Sequence, residues 1–94
     1  MLSDIPKDID NLDNQELNKE ILRTGIIAEL DAINLYEQLA AKTTDKNIKK
    51  VLLDIAKEEK THVGEFNEML LRFDKEQAKE NKEAKKEIKE LTGN

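Results

Sequence analysis

From residue 48 to residue 73 the apolar side chains fall at every third or fourth position: Ile48, Leu52, Ile55, Phe66, Met69 and Phe73. That period belongs to the α-helix and excludes a strand, whose faces alternate every two residues. The middle of the stripe, however, holds Glu59 and His62, the chain's single histidine. A carboxylate taken into an apolar face costs several kcal/mol unless it is paired or bound to a cation. The fold has to supply a partner for both groups.

A matching stripe precedes it. Leu17, Ile21, Gly25, Ala28, Ala32, Leu35 and Leu39 keep the same spacing, predicting a helix capped by Asp13 or Asn14 and running to about Lys42. The stretch "KTTDKN" then breaks the pattern, with Thr44 or Asp45 as the next cap. Two helices of roughly 28 residues, about 42 Å each, joined so tightly, are antiparallel neighbours. Residues 74–94 are strong helix formers with a thin apolar face of Ala84, Ile88 and Leu91, ending near Gly93. They predict a charged C-terminal helix or tail that packs lightly or extends. Residues 1–13 carry Pro6 and four aspartates, Asp4, Asp8, Asp10 and Asp13, and read as an acidic flexible arm. The expected fold class is all-α: an antiparallel two-helix hairpin over 14–73 plus a short C-terminal helix.

Composition decides what such a hairpin can do alone. With 94 residues, 37% hydrophobic against 39% charged, its own core is thin. Small polar chains gain stability from partners, metals or disulfides. Cysteine is absent, which removes disulfides and thiolate sites and leaves oligomerisation, an oxygen- or imidazole-bound metal, or both. A net charge of −5 argues against nucleic-acid binding, which needs a basic surface. No apolar run approaches the roughly 18–20 residues that span a bilayer. The start "MLSDIPKDID" lacks the basic-then-apolar pattern of a signal peptide, so a soluble intracellular protein is expected. Abundant Lys, Glu and Ile point to a thermophilic source.

The polar interruptions share a geometry. Glu59 and His62, at i and i+3, lie about 60° apart around the helix and aim at one point. On the first helix Glu29 sits between Ala28 and Ala32 on the apolar side, and Tyr36 follows seven residues later, within about 20° of the same direction. Small neighbours leave room for a metal, and a phenol there can hydrogen-bond a ligating carboxylate. Glu58 and Glu65 flank the motif, but Glu59 sits better on the stripe. A di-iron helix bundle takes one Glu from each of two helices and Glu-x-x-His from each of the other two. This chain holds one of each, half of a site. Two copies about a two-fold axis would complete it through an isologous interface.

The segments "IIAELDAINLYEQLA" and "LLDIAKEEKTHVGEFNEML", with the ordered spacing Glu29, Tyr36, Glu59, His62, resemble the encapsulated ferritins, half-length ferritin-like proteins of encapsulin nanocompartments. The resemblance covers about residues 14–73. It implies hairpins that dimerise into a ferritin-like four-helix bundle, with Glu29, Glu59 and His62 as metal ligands from both subunits and Tyr36 beside them. It also implies a di-iron centre with ferroxidase activity, oxidising Fe(II) to Fe(III) with dioxygen, and a ring of dimers, commonly a decamer. Iron would be stored by an encapsulin shell partner, placing the protein in the cytoplasm within a nanocompartment. Asp31 occupies one position where family members carry a further carboxylate that guides iron inward, whereas Ala28 stands at another such position and Leu35 at an aromatic one. Family members reach shells through a short tail motif or by fusion to the shell protein; the ending "IKELTGN" shows no convincing tail motif, which leaves a truncated chain and a domain cut from a fusion both open.

Two other readings compete. A rubrerythrin-like protein uses similar ligands to reduce peroxide and accepts manganese as well as iron, though the absence of Cys removes a rubredoxin-type electron donor. A metal-free structural hairpin would dimerise with Glu59 and His62 paired across the interface.

Overall fold

The structure, a computed structural model, describes residues 13–94 as three helices: α1 (Asn14–Lys42), α2 (Lys46–Phe73) and α3 (Lys75–Thr92). Among the described residues there is no strand. The acidic arm expected over 1–13 lies outside them except for Asp13.

Each helix begins where a short acid can accept its free amides. Asp13 accepts the Glu16 N–H at 2.8 Å, and Asp45 accepts those of Asn47 and Ile48, both at 2.9 Å. Such caps satisfy donors that the first turn leaves without intrahelical partners. Between α1 and α2 only residues 43–45 intervene, with the Thr43 hydroxyl accepting the Asp45 N–H at 3.2 Å. The two long helices therefore pack side by side, antiparallel.

The packed strip differs from the stripe expected on α1. Ile33 and Ala40 are the buried residues of that helix, whereas Ile21, Leu35 and Leu39 are 37–49% exposed. Most of the stripe read from the sequence lies about 100° round the helix from Ile33 and Ala40, and Gly25, at its near edge, abuts α2 through Phe66. A hairpin needs only one narrow contact strip per helix, so Ile21, Leu35 and Leu39 form an outer flank, while Ile27 and Leu30 are exposed on another side of α1. On α2, Ala56 and Leu70 are buried while Ile48, Val51 and Met69 face outward. Across the hairpin, Lys60 Nζ and Glu37 Oε2 pair at 3.0 Å.

A single residue, Asp74, joins α2 to α3. Its backbone N–H donates to the Leu70 carbonyl at 2.8 Å, and its carboxylate caps α3 by accepting the Gln77 N–H at 3.0 Å. Arg23 Nη2 donates to the same carboxylate at 2.7 Å, a link spanning 51 residues. The Asp74 carboxyl is held below its ordinary range, chiefly by the Gln77 amide; burial opposes this, and Arg23 and Lys19 reinforce it. Beyond this root α3 buries no residue. A molecule 46 Å by 43 Å but only 20 Å thick has α3 projecting sideways from the hairpin. None of the helices is long and apolar enough to cross a membrane.

Candidate metal centre

Glu29 comes from the middle of α1, and Glu59 and His62 from successive turns of α2. One ligand atom from each lies within 4.8 Å of the other two. His62 Nδ1 is 3.3 Å from Glu59 Oε2 and 3.5 Å from Glu29 Oε2. The first approach is a hydrogen bond in which Nδ1–H donates to the Glu59 carboxylate, in the tautomer that carries the proton there. Glu29 Oε2 is buried with no hydrogen-bond partner. An orphaned acceptor beside a second carboxylate calls for a cation, since two ionised carboxylates repel and neither can donate. The donor set of oxygens and one imidazole suits iron or manganese, so these residues fit the metal that the sequence pattern implied.

Exposure shows that one chain covers one side only. The Glu29 and Glu59 side chains are 21% and 19% exposed, whereas His62 is 46% exposed. The carboxylates sit inside and the imidazole stands at the rim, on the flank that carries unburied apolar residues.

A turn away, Gly25 lets the helices approach closely. A Cβ there would meet three atoms of the Phe66 ring at 3.1–3.2 Å. Phe66, Leu22 and Met69 form the apolar wall of an open hollow of about 470 Å³, with Glu29, His62 and Glu65 as its polar lining. Apolar surroundings of this kind restrict solvent and strengthen charge interactions at a metal site.

Tyr36 and Asp31 do not join the three-residue cluster. Tyr36, partly buried two turns along α1 from Glu29, makes no hydrogen bond to the two carboxylates within the single chain. Asp31 lies about 200° round the helix from Glu29. Glu65, which the sequence places merely beside the motif, shares the hollow with His62.

The crystal structure of the encapsulated ferritin domain from Pyrococcus furiosus matches this fold with a TM-score of 0.86 and 53% identity, covering 100% of this chain and 98% of that one. The rubrerythrin family profile matches residues 20–94. The chain belongs to the rubrerythrin family and, with that structure, to the encapsulated ferritins. Over 74 residues this encapsulated ferritin is 62% identical to a ferritin-like–encapsulin shell fusion protein of Pyrococcus furiosus, a match covering 79% of this chain and 21% of that protein. It is 39% identical over 71 residues to an encapsulin nanocompartment cargo protein of Myxococcus xanthus, covering 76% of this chain and 55% of the relative. The match thus spans 21% and 55% of the lengths of these two relatives. The ferritin-like helical fold expected from the sequence is borne out.

Proposed function

We propose that this chain is a ferroxidase whose di-iron site forms between two copies, delivering Fe(III) for storage inside an encapsulin shell. The observation that carries the reading is the half-site itself: Glu29, with a buried oxygen that has no hydrogen-bond partner, facing Glu59 and His62 across the hairpin. A second copy, docked through the apolar flank of Ile21, Leu35, Leu39 and Met69, supplies the other three ligands. It also screens the carboxylates from water.

Glu29 and Glu59 hold and neutralise the cations, and His62 donates Nδ1. When bound, iron supplies the redox chemistry: two Fe(II) give one electron each to dioxygen, which takes two protons and leaves as hydrogen peroxide. Tyr36 hydrogen-bonds a ligating carboxylate once the second copy orders the site, and Asp31 guides iron inward. The hollow beside the ligands is open and small, so mineral has to accumulate elsewhere. The encapsulin-related names of the relatives support a shell partner and a nanocompartment location; the cytoplasmic setting and a ring of dimers, a decamer, are part of the proposal and rest on the family resemblance alone.

The test is to add Fe(II) to anaerobic protein, admit oxygen, and follow Fe(III) absorbance. Glu59→Ala and His62→Ala should each lose most of the rate; parent-like oxidation by both sinks the assignment. The rubrerythrin profile match favours a second reading, peroxide reduction at the same ligands. Faster turnover of the reduced protein with peroxide than with dioxygen would select it.

A further inference from the structure

His62 has two ring nitrogens, and the ligand cluster uses one. Nδ1 faces both carboxylates, at 3.3 and 3.5 Å, so a metal seated among the three binds there. Metal on Nδ1 fixes the tautomer and puts the ring's remaining proton on Nε2. A metal-bound imidazole whose other N–H finds a carboxylate or carbonyl is held in orientation and made more basic.

The hollow offers few acceptors for that N–H. Its lining is Leu22, Phe66 and Met69 together with Glu29, His62 and Glu65. Glu29 belongs to the ligand cluster, and a thioether is a weak acceptor. Glu65 is what remains. It lies three residues beyond His62 on α2, and helical side chains lean toward the N-terminus, over the preceding turn. No ion pair or hydrogen bond joins the two side chains in the metal-free chain, but this spacing and lean put the Glu65 carboxylate over the turn that carries the imidazole.

We propose that Glu65 is a positioning residue: its carboxylate accepts a hydrogen bond from His62 Nε2–H once metal occupies Nδ1. This rests on the metal-site reading above. Without metal on Nδ1, the imidazole proton can be engaged there toward Glu59, and Nε2 then has nothing to donate. Metal binding creates the donor, and the acceptor already lines the same hollow. The proposal gives this exposed carboxylate a role distinct from that of Glu58, which does not line the hollow.

The test uses the full chain and Co(II) as probe, comparing parent, Glu65→Ala, Glu65→Gln and Glu68→Ala. Competition titration gives the affinity, and the paramagnetically shifted imidazole N–H signal reports exchange with solvent. Glu65→Ala should bind cobalt about 10–100-fold more weakly, the usual loss when such a partner is removed, and its N–H signal should exchange faster. Glu65→Gln keeps an acceptor oxygen and should stay near the parent, as should Glu68→Ala. Affinity of Glu65→Ala within twofold of the parent overturns the proposal. Equal losses in Glu65→Ala and Glu65→Gln overturn it too, since charge alone then accounts for the effect. A parent chain that takes up no cobalt overturns the metal-site reading itself, and this inference with it.

Discussion

Replacing Glu29 by Met separates what the carboxylate costs the fold from what it contributes to the site. Its Oε2 is buried without a hydrogen-bond partner, with only His62 Nδ1 at 3.5 Å to offset this, and a buried acceptor left unsatisfied costs about 1–3 kcal/mol. The side chain is still 21% exposed, so the lower part of that range, about 1–2 kcal/mol, applies. Met is similar in length and nearly equal in helix propensity, so little else changes. Metal-free Glu29→Met should therefore be more stable than the parent by about 1–2 kcal/mol, raising Tm by roughly 4–8 °C per kcal/mol for a domain of this size. Co(II) should reverse the order. At a free concentration of 100 times Kd it stabilises the parent by about 2.7 kcal/mol, and the variant by little or nothing. The assay is urea unfolding followed by far-UV circular dichroism, at one chain concentration, with and without Co(II). A metal-free variant less stable than the parent refutes the orphaned-carboxylate argument, and equal stabilisation of both by cobalt refutes its role as a ligand.

Two glycines inside helices should respond oppositely to alanine. A Cβ added at Gly64 would meet no atom within 4 Å, so Gly64→Ala should gain about 0.8–1 kcal/mol in urea unfolding of the metal-free chain. Gly25→Ala drives a Cβ to 3.1 Å from the Phe66 ring; overpacking of about 1–3 kcal/mol offsets that gain, and cobalt binding at the neighbouring site should weaken. The Asp74 carboxyl, lowered by Gln77 and Arg23, contributes stability that is fully present above the ordinary carboxylate range and is lost as pH falls through its lowered value. Asp74→Asn, which can still cap α3, should therefore flatten the fall of Tm below about pH 4; a parent-like acid profile would contradict that linkage.

The helices were legible because their signals are local. Asp13 and Asp45 cap where short acids precede a periodic run, and Gly93 ends α3 at φ 80°. The cluster of Glu29, Glu59 and His62 was legible because a carboxylate and the lone histidine interrupt an apolar stripe at helical spacing, which constrains direction without knowledge of the partner helix. Which side of α1 meets α2 was not legible. Ile33 and Ala40, rather than Leu35 and Leu39, are buried, and helices with apolar residues around so wide an arc can roll against each other without changing their periodicity. The Arg23–Asp74 link escaped for a related reason. It joins residues 51 apart and depends on the angle at a one-residue joint, which no helical period encodes. Glu65 shares the hollow with His62 only because α1 closes its far side with Leu22 and Glu29.

The central claim is that one chain holds half a site and that a second copy completes it. Native mass spectrometry of the full chain, loaded anaerobically with Fe(II), tests this most directly. The account predicts iron only in even-numbered assemblies, at two iron ions per pair of chains, and none on single chains. Iron retained by a single chain, or pairs that assemble without taking up any, would contradict it.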